Sequence, residues 1–215
     1  RLARDAADVA KEQNRDLQFG TYEAGPGYAL NGLNGARVTS EQARAQEEVM
    51  KSQAGGVATL DSFLAERRAG FTEQNFFTFG EGSYWKSHAH WHEGGTPYPS
   101  WHLLTLMTRF GQGDMLDVHT HSVPTEELQA VHRRIQVTAA PQVAVYATKS
   151  DRHLTVFIIS RRVPGYPDPE DAGCNPVRIE LPIRTATEVT LHKTSGRFDD
   201  HSADGRPLKI TTMSL

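Results

Sequence analysis

The chain has 215 residues, enough for one large domain or two small ones, and a formal net charge of -3 from 23 basic and 26 acidic side chains. This near balance of charge argues against a protein that binds nucleic acid, which would need a basic surface. No stretch of the sequence resembles a long uncharged apolar segment, so we predict neither a transmembrane helix nor a membrane partner. The single cysteine, Cys174, excludes an internal disulfide bond and is interpreted as structural.

The first half of the chain predicts alternating helices and strands. Apolar residues repeat at helical spacing over 2–14, and a short apolar strand follows at 17–23. Thr39 is expected to cap the next helix, which Gly55 and Gly56 would interrupt before it resumes.

A second apolar strand is predicted at 75–80, and a long aromatic and polar loop follows it. Pro99 then opens an amphipathic helix, with Ser100 as its expected cap and Trp101 as a core residue. This helix and strand order is typical of parallel βα units. The first half is therefore predicted to be α/β.

After about residue 115 the helical period gives way to short segments with a period of two. Short strands at nearly regular spacing are typical of an antiparallel β-sandwich, so the second half is predicted to be all-β. The predicted strands are 115–118, 143–147, 154–159, 177–181, 188–192 and 208–213.

Glu23 is the candidate for chemistry in the first half. It ends the strand at 17–23, and Gly25 and Pro26 then prevent further backbone pairing with a neighbouring strand. Its carboxylate is therefore expected to face a loop at the carboxyl end of the strand. In a (β/α) barrel this end of the strands holds the active site. The alternative is a structural carboxylate that caps a strand end or forms a salt bridge.

The loop after the second strand combines aromatic and imidazole side chains. Tyr84, Trp85 and Trp91 can stack on the apolar faces of sugar rings, while His88 and His90 bind the hydroxyls. This composition predicts a polysaccharide groove. The alternative is a loop that folds on its own aromatic rings.

The same loop also supports a metal hypothesis. In an extended segment His88, His90 and His92 would point the same way, and with Glu93 they could hold one ion. The simpler alternative is a solvated loop in which some histidines contact a ligand. We predict no metal site and no cofactor.

Two short motifs resemble the TIM-barrel clan of retaining glycoside hydrolases. Tyr22-Glu23-Ala24-Gly25 is similar to the motif of the seventh barrel strand, whose glutamate is the nucleophile. Residues 77–85 resemble strand eight, whose carboxyl end often supplies an aromatic platform for the sugar. The resemblance implies the C-terminal βα units of a (β/α)8 TIM barrel at 1–114, followed by an antiparallel β-sandwich domain at 115–215.

The resemblance also implies residue roles. Glu23 would attack the sugar, and the general acid, a Glu that follows an Asn on strand four, would lie upstream because this chain has no Asn-Glu pair. Two βα units cannot close a barrel of eight strands, so the missing N-terminal barrel portion is the expected partner and these residues alone are expected to be inactive. The residues expected to bind the carbohydrate substrate are Tyr22, Glu81, Tyr84, Trp85, His88, His90 and Trp91.

Two other functions are open from the residues. One is a non-catalytic carbohydrate-binding protein that uses the aromatic loop. The other is a metal-dependent enzyme that uses His88, His90 and His92. A secreted or periplasmic location would suit a polysaccharide substrate.

Overall fold

The computed structural model describes residues 2–15, 17–25, 39–80, 86–128, 136–162, 177–180, 188–195 and 208–214. These residues form a mixed helix and sheet fold. The helices are α1 (Leu2–Glu12), α2 (Ser40–Lys51), α3 (Gln53–Arg68) and α4 (Pro99–Phe110). The strands are β1 (Phe19–Ala24), β2 (Phe71–Phe76), β3 (Asp114–Leu116), β4 (Thr125–Leu128), β5 (Val137–Pro141), β6 (Val143–Lys149), β7 (Leu154–Ser160), β8 (Thr190–Ser195) and β9 (Lys209–Ser214). None of the helices in this part of the chain has both the length and the apolar composition needed to span a bilayer.

The strands β1 and β2 form a parallel pair, and the helices α2 and α3 connect them. The predicted parallel βα arrangement is confirmed for this pair. The predicted bounds of the second strand, 75–80, are wrong, because β2 begins at Phe71 and ends at Phe76. The first part of β2 is not predicted because it contains the polar residues Thr72 and Gln74 and so lacks an apolar pattern. The side chain of Thr72 hydrogen-bonds to the neighbouring strand, and that of Gln74 hydrogen-bonds to helix α3.

The start of α2 agrees with the sequence prediction, but its end does not. Thr39 and Gln42 form a capping box, in which each side chain binds the backbone N–H of the other residue. The chain breaks at Ser52, whose hydroxyl accepts a hydrogen bond from the Gly55 N–H and so caps α3. Gly55 and Gly56 therefore lie in the first turn of α3 and do not interrupt a helix.

Helix α3 crosses α4 at a point where the backbones almost touch. A Cβ atom added to Gly56 would lie 2.8 Å from the Cβ of Pro99 and 2.8 Å from the Ser100 backbone nitrogen. Pro99 occupies the first turn of α4, where its missing N–H costs nothing. Tyr98 is the N-cap residue and Ser100 is buried, so the prediction of a Ser100 cap is wrong.

The sheet β3–β6–β7 packs against α3 and α4. The hairpin of β6 and β7 confirms the strands predicted at 143–147 and 154–159. Its inner face and the two helices share a hydrophobic core, so apolar residues from both halves of the sequence are buried together. The core residues are Leu60, Leu64, Leu103, Ala144, Tyr146 and Ile159.

A polar network also ties α3 to this sheet. The Tyr146 hydroxyl donates to Asp61 Oδ1 at 2.6 Å, and Arg161 binds both carboxylate oxygens of Asp61, with Nε 2.6 Å from Oδ2 and Nη2 3.0 Å from Oδ1. Burial and the adjacent Asp61 raise the pKa of Tyr146 to about 12. The hydroxyl therefore stays protonated and keeps donating at any physiological pH.

Two further antiparallel pairs lie in the second half, β4 with β5 and β8 with β9. The pair β8–β9 confirms the strands predicted at 188–192 and 208–213. Residues 177–180 are not in a strand, so the prediction fails there for the described part of the segment. The described residues thus form small sheets, and neither a closed barrel nor two packed sheets is present among them.

Replacing Gly56 by Ala is expected to destabilise the protein, because the new methyl group would overlap Pro99. Overpacking of this kind costs about 1–3 kcal/mol, which exceeds the gain of at most about 1 kcal/mol from replacing Gly by Ala in a helix. Urea unfolding of the two proteins measures the difference. Gly80→Ala is the control, because a Cβ atom there would meet only the Ala89 carbonyl oxygen at 3.9 Å. Equal unfolding midpoints for Gly56→Ala and the unmodified protein would contradict the close helix contact.

Candidate functional site

Glu23 lies at a bulge near the carboxyl end of β1. Thr21 pairs with Gln74 and Ala24 pairs with Phe76, so β1 advances three residues while β2 advances two. The extra residue in β1 breaks the alternation of faces, and Tyr22 and Glu23 are both exposed. Bulges of this kind redirect side chains at the ends of strands, often beside active sites.

The strand below the bulge is held to helix α3 by one carboxylate. Glu66 Oε2 accepts hydrogen bonds from Thr21 Oγ1 and from Gln74 Nε2, each at 2.9 Å. Gln74 Nε2 also donates to the Phe63 carbonyl oxygen at 2.8 Å. Both strands are thereby fixed to the same helix, and the position of Glu23 follows from theirs.

Glu23 differs from Glu66 in having no structural use among the described residues. No hydrogen bond or ion pair of its carboxylate is made within the described part of the chain. The alternative of a strand-end carboxylate held in a salt bridge therefore finds no partner there. An exposed carboxylate without such a partner is available to a ligand.

The two strands remain paired just past the bulge. The Phe77 N–H donates to the Ala24 carbonyl oxygen at 2.8 Å. Gly25 has a φ of +154°, and a Cβ atom there would lie 3.0 Å from the Phe77 carbonyl oxygen, so glycine allows this close approach. The segment 77–80 therefore begins directly beside the residues that follow Glu23.

The segment 86–98 folds back against this strand end. The Phe79 carbonyl oxygen accepts from the Ser87 N–H at 3.1 Å, the His88 N–H at 3.0 Å and the Ser87 hydroxyl at 3.1 Å. His88 also pairs with Pro97 in an antiparallel bridge, and the Tyr98 N–H donates to the Ser87 carbonyl oxygen at 2.8 Å. This part of the loop is therefore tied to the segment 77–80, which follows β2.

Three rings meet where this loop reaches α4, and we call Phe79, His88 and Trp101 the ring cluster. The centroid of the His88 ring is 4.3 Å from that of Phe79 and 4.7 Å from that of Trp101. The His88 residue is only 8 % exposed, whereas Phe79 is 64 % and Trp101 is 41 % exposed. The expectation that Trp101 is a core residue is therefore wrong.

The orientation of the His88 ring follows from hydrogen bonding. Its Nδ1 atom lies 2.9 Å from the Ser87 hydroxyl oxygen. The same hydroxyl oxygen lies 3.1 Å from the Phe79 carbonyl oxygen, so Ser87 links the His88 ring to that carbonyl. Burial lowers the pKa of His88 below its usual 6.5, and the nearby His102, whose own pKa burial also lowers, adds to the effect.

The outer part of the loop is a short turn and not an extended segment. Trp91–Glu93 forms a turn of 3-10 helix, and the ring of His90 stacks on that of His92 at 4.8 Å. His88 is buried in the ring cluster, so the three imidazoles do not point the same way. Within the described ranges no group of three or more His, Cys, Asp or Glu side chains is placed to hold a metal ion.

The predicted substrate-binding residues fall into three groups. Tyr22 is 86 % exposed beside Glu23, and Trp91 is 69 % exposed at the turn. His88 is buried and His90 is partly buried. Glu81, Tyr84 and Trp85 lie outside the described residues.

The sequence pattern does not predict that Phe79 and Trp101 are exposed rings near the strand end. Phe79 lay inside a stretch interpreted as a strand, and Trp101 began an apolar helix pattern. The available signal was Gly80, which follows Phe79 and ends the apolar run, so that Phe79 could have been placed in the loop.

The protein is expected to lose stability as the pH falls through about 6.5, the ordinary pKa of histidine. His88 and His102 have lowered pKa values when folded, so the unfolded chain binds more protons as the pH falls, and this binding stabilises the unfolded state relative to the folded one. Urea unfolding between about pH 7.5 and about pH 5.5 measures this, and NMR titration of the two imidazoles gives their pKa values directly. The double variant His88→Gln/His102→Gln should flatten the dependence, whereas His119→Gln, at an exposed position, should not. A stability that is constant or rises toward acid pH would refute the assignment.

No protein-family model, curated protein sequence or solved structure matches this chain significantly. The function is therefore inferred from the residues at the strand end and their geometry.

Proposed function

We propose that this chain is the C-terminal portion of a retaining glycoside hydrolase that acts on an oligosaccharide or polysaccharide, with Glu23 as the nucleophile. One observation carries the proposal. A carboxylate with no bonding partner among the described residues stands at the bulged carboxyl end of a parallel strand, where the neighbouring strand leads into exposed aromatic rings. The sequence resemblance at Tyr22-Glu23-Ala24-Gly25 assigns the same residue.

The chemistry needs an ionised carboxylate that can reach the anomeric carbon. Glu23 would attack that carbon as the bond to the leaving oxygen breaks, forming a glycosyl ester. A second carboxyl group about 5–5.5 Å away protonates the leaving oxygen and then takes a proton from the water that hydrolyses the ester. The proposal places this second group on barrel strands other than β1 and β2.

The uncovered face of the parallel pair supports the proposal of a barrel. Parallel strands are usually covered on both faces and belong to sheets of several strands. Here α3 covers one face through Thr21 and Gln74, whereas Tyr22 on β1 is exposed. Further parallel strands with the catalytic acid would cover this face, and the sheet β3–β6–β7 would brace α3 and α4 from outside as part of the β-domain at 115–215.

A non-catalytic carbohydrate-binding function is the second candidate. The exposure of Tyr22, Phe79 and Trp91 favours it, because exposed aromatic faces stack on sugar rings whether or not a bond is cleaved. In that case Glu23 would contribute only hydrogen bonds to the ligand.

The first test is the substitution Glu23→Gln in the full-length protein that contains this chain. Because an amide cannot act as the nucleophile, turnover of a panel of aryl glycosides should fall by about 10⁴-fold or more, while ligand binding is retained. Glu73→Gln is the matched control, since Glu73 is an exposed carboxylate on β2 that pairs with Gly20, toward the amino end of the strands. Its turnover should equal that of the unmodified enzyme.

Trapping the intermediate gives an independent readout. A 2-deoxy-2-fluoroglycosyl fluoride of the preferred sugar should label Glu23, and peptide mass spectrometry locates the ester. Full activity of Glu23→Gln, or a label on another carboxylate, would remove Glu23 from the nucleophile role. Ligand binding without turnover or labelling in the unmodified protein would instead support the carbohydrate-binding function.

A further inference from the structure

His88 lies at the centre of the ring cluster, where three parts of the chain meet. Its ring is buried between that of Phe79, on the segment 77–80, and that of Trp101, in the first turn of α4. The two outer rings also contact each other edge to face, with their centroids 6.0 Å apart. The ring cluster is therefore a packed contact that joins the loop 86–98 to the strand end and to α4.

The charged and titratable groups around His88 do not favour its protonated form. The segment 77–80 has no titratable side chain, and α4 contributes His102, whose positive charge would repel one on His88. On the loop itself the basic residue is Lys86, and the one carboxylate, that of Glu93, binds the backbone of the turn. A proton on His88 would therefore place a charge among apolar rings, with no described carboxylate to pair with it.

Burial also acts against a proton on His88. An aromatic face attracts a cation, but a buried imidazolium loses the water that would solvate it. The pKa of His88 is lowered by this burial first and by the nearby His102 second, and burial lowers the pKa of His102 as well. His88 is thus neutral while it stays in the ring cluster, and it takes up a proton more readily once it is released.

The start of the loop is attached to the strand end through Ser87 and His88. Their two backbone N–H groups and the Ser87 hydroxyl bind the Phe79 carbonyl oxygen, and the Ser87 carbonyl oxygen accepts from the Tyr98 N–H. These bonds are lost together if the two residues move away. The helices α3 and α4 and the β6–β7 hairpin share the hydrophobic core instead, and segments outside such a core open locally at a lower free energy.

We propose that the ring cluster is a pH-sensitive switch, in which protonation of His88 at mildly acidic pH releases the loop 86–98 from the strand end while the helices and the β6–β7 hairpin stay folded. The inference does not depend on the proposed function, since it concerns how this loop is attached. The segment 77–80 begins beside the residues that follow Glu23, so the release would change the surface next to that carboxylate.

Hydrogen exchange of the full-length protein that contains this chain tests the release. Exchange is followed by mass spectrometry of peptides between about pH 7.5 and about pH 5.5 and corrected for the intrinsic pH dependence of amide exchange. Protection of the peptide 86–90 should fall by up to about tenfold for each imidazole that is protonated on opening, because a released histidine has a pKa of about 6.5. The peptide 143–149 in β6 should keep its protection, which shows that the opening is local.

Three substitutions assign the effect. His88→Phe keeps a ring in the cluster but cannot take up a proton, so it should abolish the loss of protection that depends on His88. His102→Gln removes the second imidazole and should make the loss smaller. His119→Gln is the control, because His119 is exposed and lies outside the ring cluster, and it should leave the loss unchanged.

Several results would overturn the switch. Protection of the peptide 86–90 that is constant with pH would exclude the release, and protection that disappears together with that of 143–149 would show global unfolding alone. The same loss in His88→Phe as in the unmodified protein would assign the effect to another group. NMR titration that places the pKa of His88 above 6.5 would show that the ring faces of Phe79 and Trp101 stabilise the imidazolium.

Discussion

Helix α3 can lie directly on α4 only because Gly56 has no side chain where Pro99 crosses it. Two parts of the described fold are attached to the helix that this contact positions. From the same helix, Glu66 holds the parallel strands and Asp61 holds the β6–β7 hairpin through Tyr146. One helix is therefore the common support for the strand end that carries the candidate site and for the sheet behind it.

The acidic residues of α3 and the acidic residue at the end of β1 make different contacts. Glu66 and Asp61 each accept hydrogen bonds from two side chains, so they are occupied with holding the structure. Glu23 is exposed, and it makes no such bond in the described part of the chain. Exposed rings at Phe79 and Trp101 leave apolar surface in water, which costs free energy that a bound ligand would recover.

Local patterns predicted the elements whose signals lie within a few residues. The Thr39 cap and the hairpin at 143–159 depend on neighbouring side chains, and both are confirmed. The helix break was predicted at Gly55 and Gly56 because glycine disfavours helices, but a tight crossing needs glycine inside one. That use of glycine depends on Pro99, more than 40 residues away, and no local pattern contains it.

The same division applies to the site. A carboxylate that ends an apolar strand before Gly25 is visible in the sequence, and so is the parallel order of the elements around it. The bulge that exposes Glu23, the burial of His88 and the exposure of Trp101 became apparent only in the folded chain. The physical reason is that the exposure of a side chain and the register of a strand depend on which distant segments pack together. Strand and helix patterns, in contrast, depend on residues that are adjacent in the sequence.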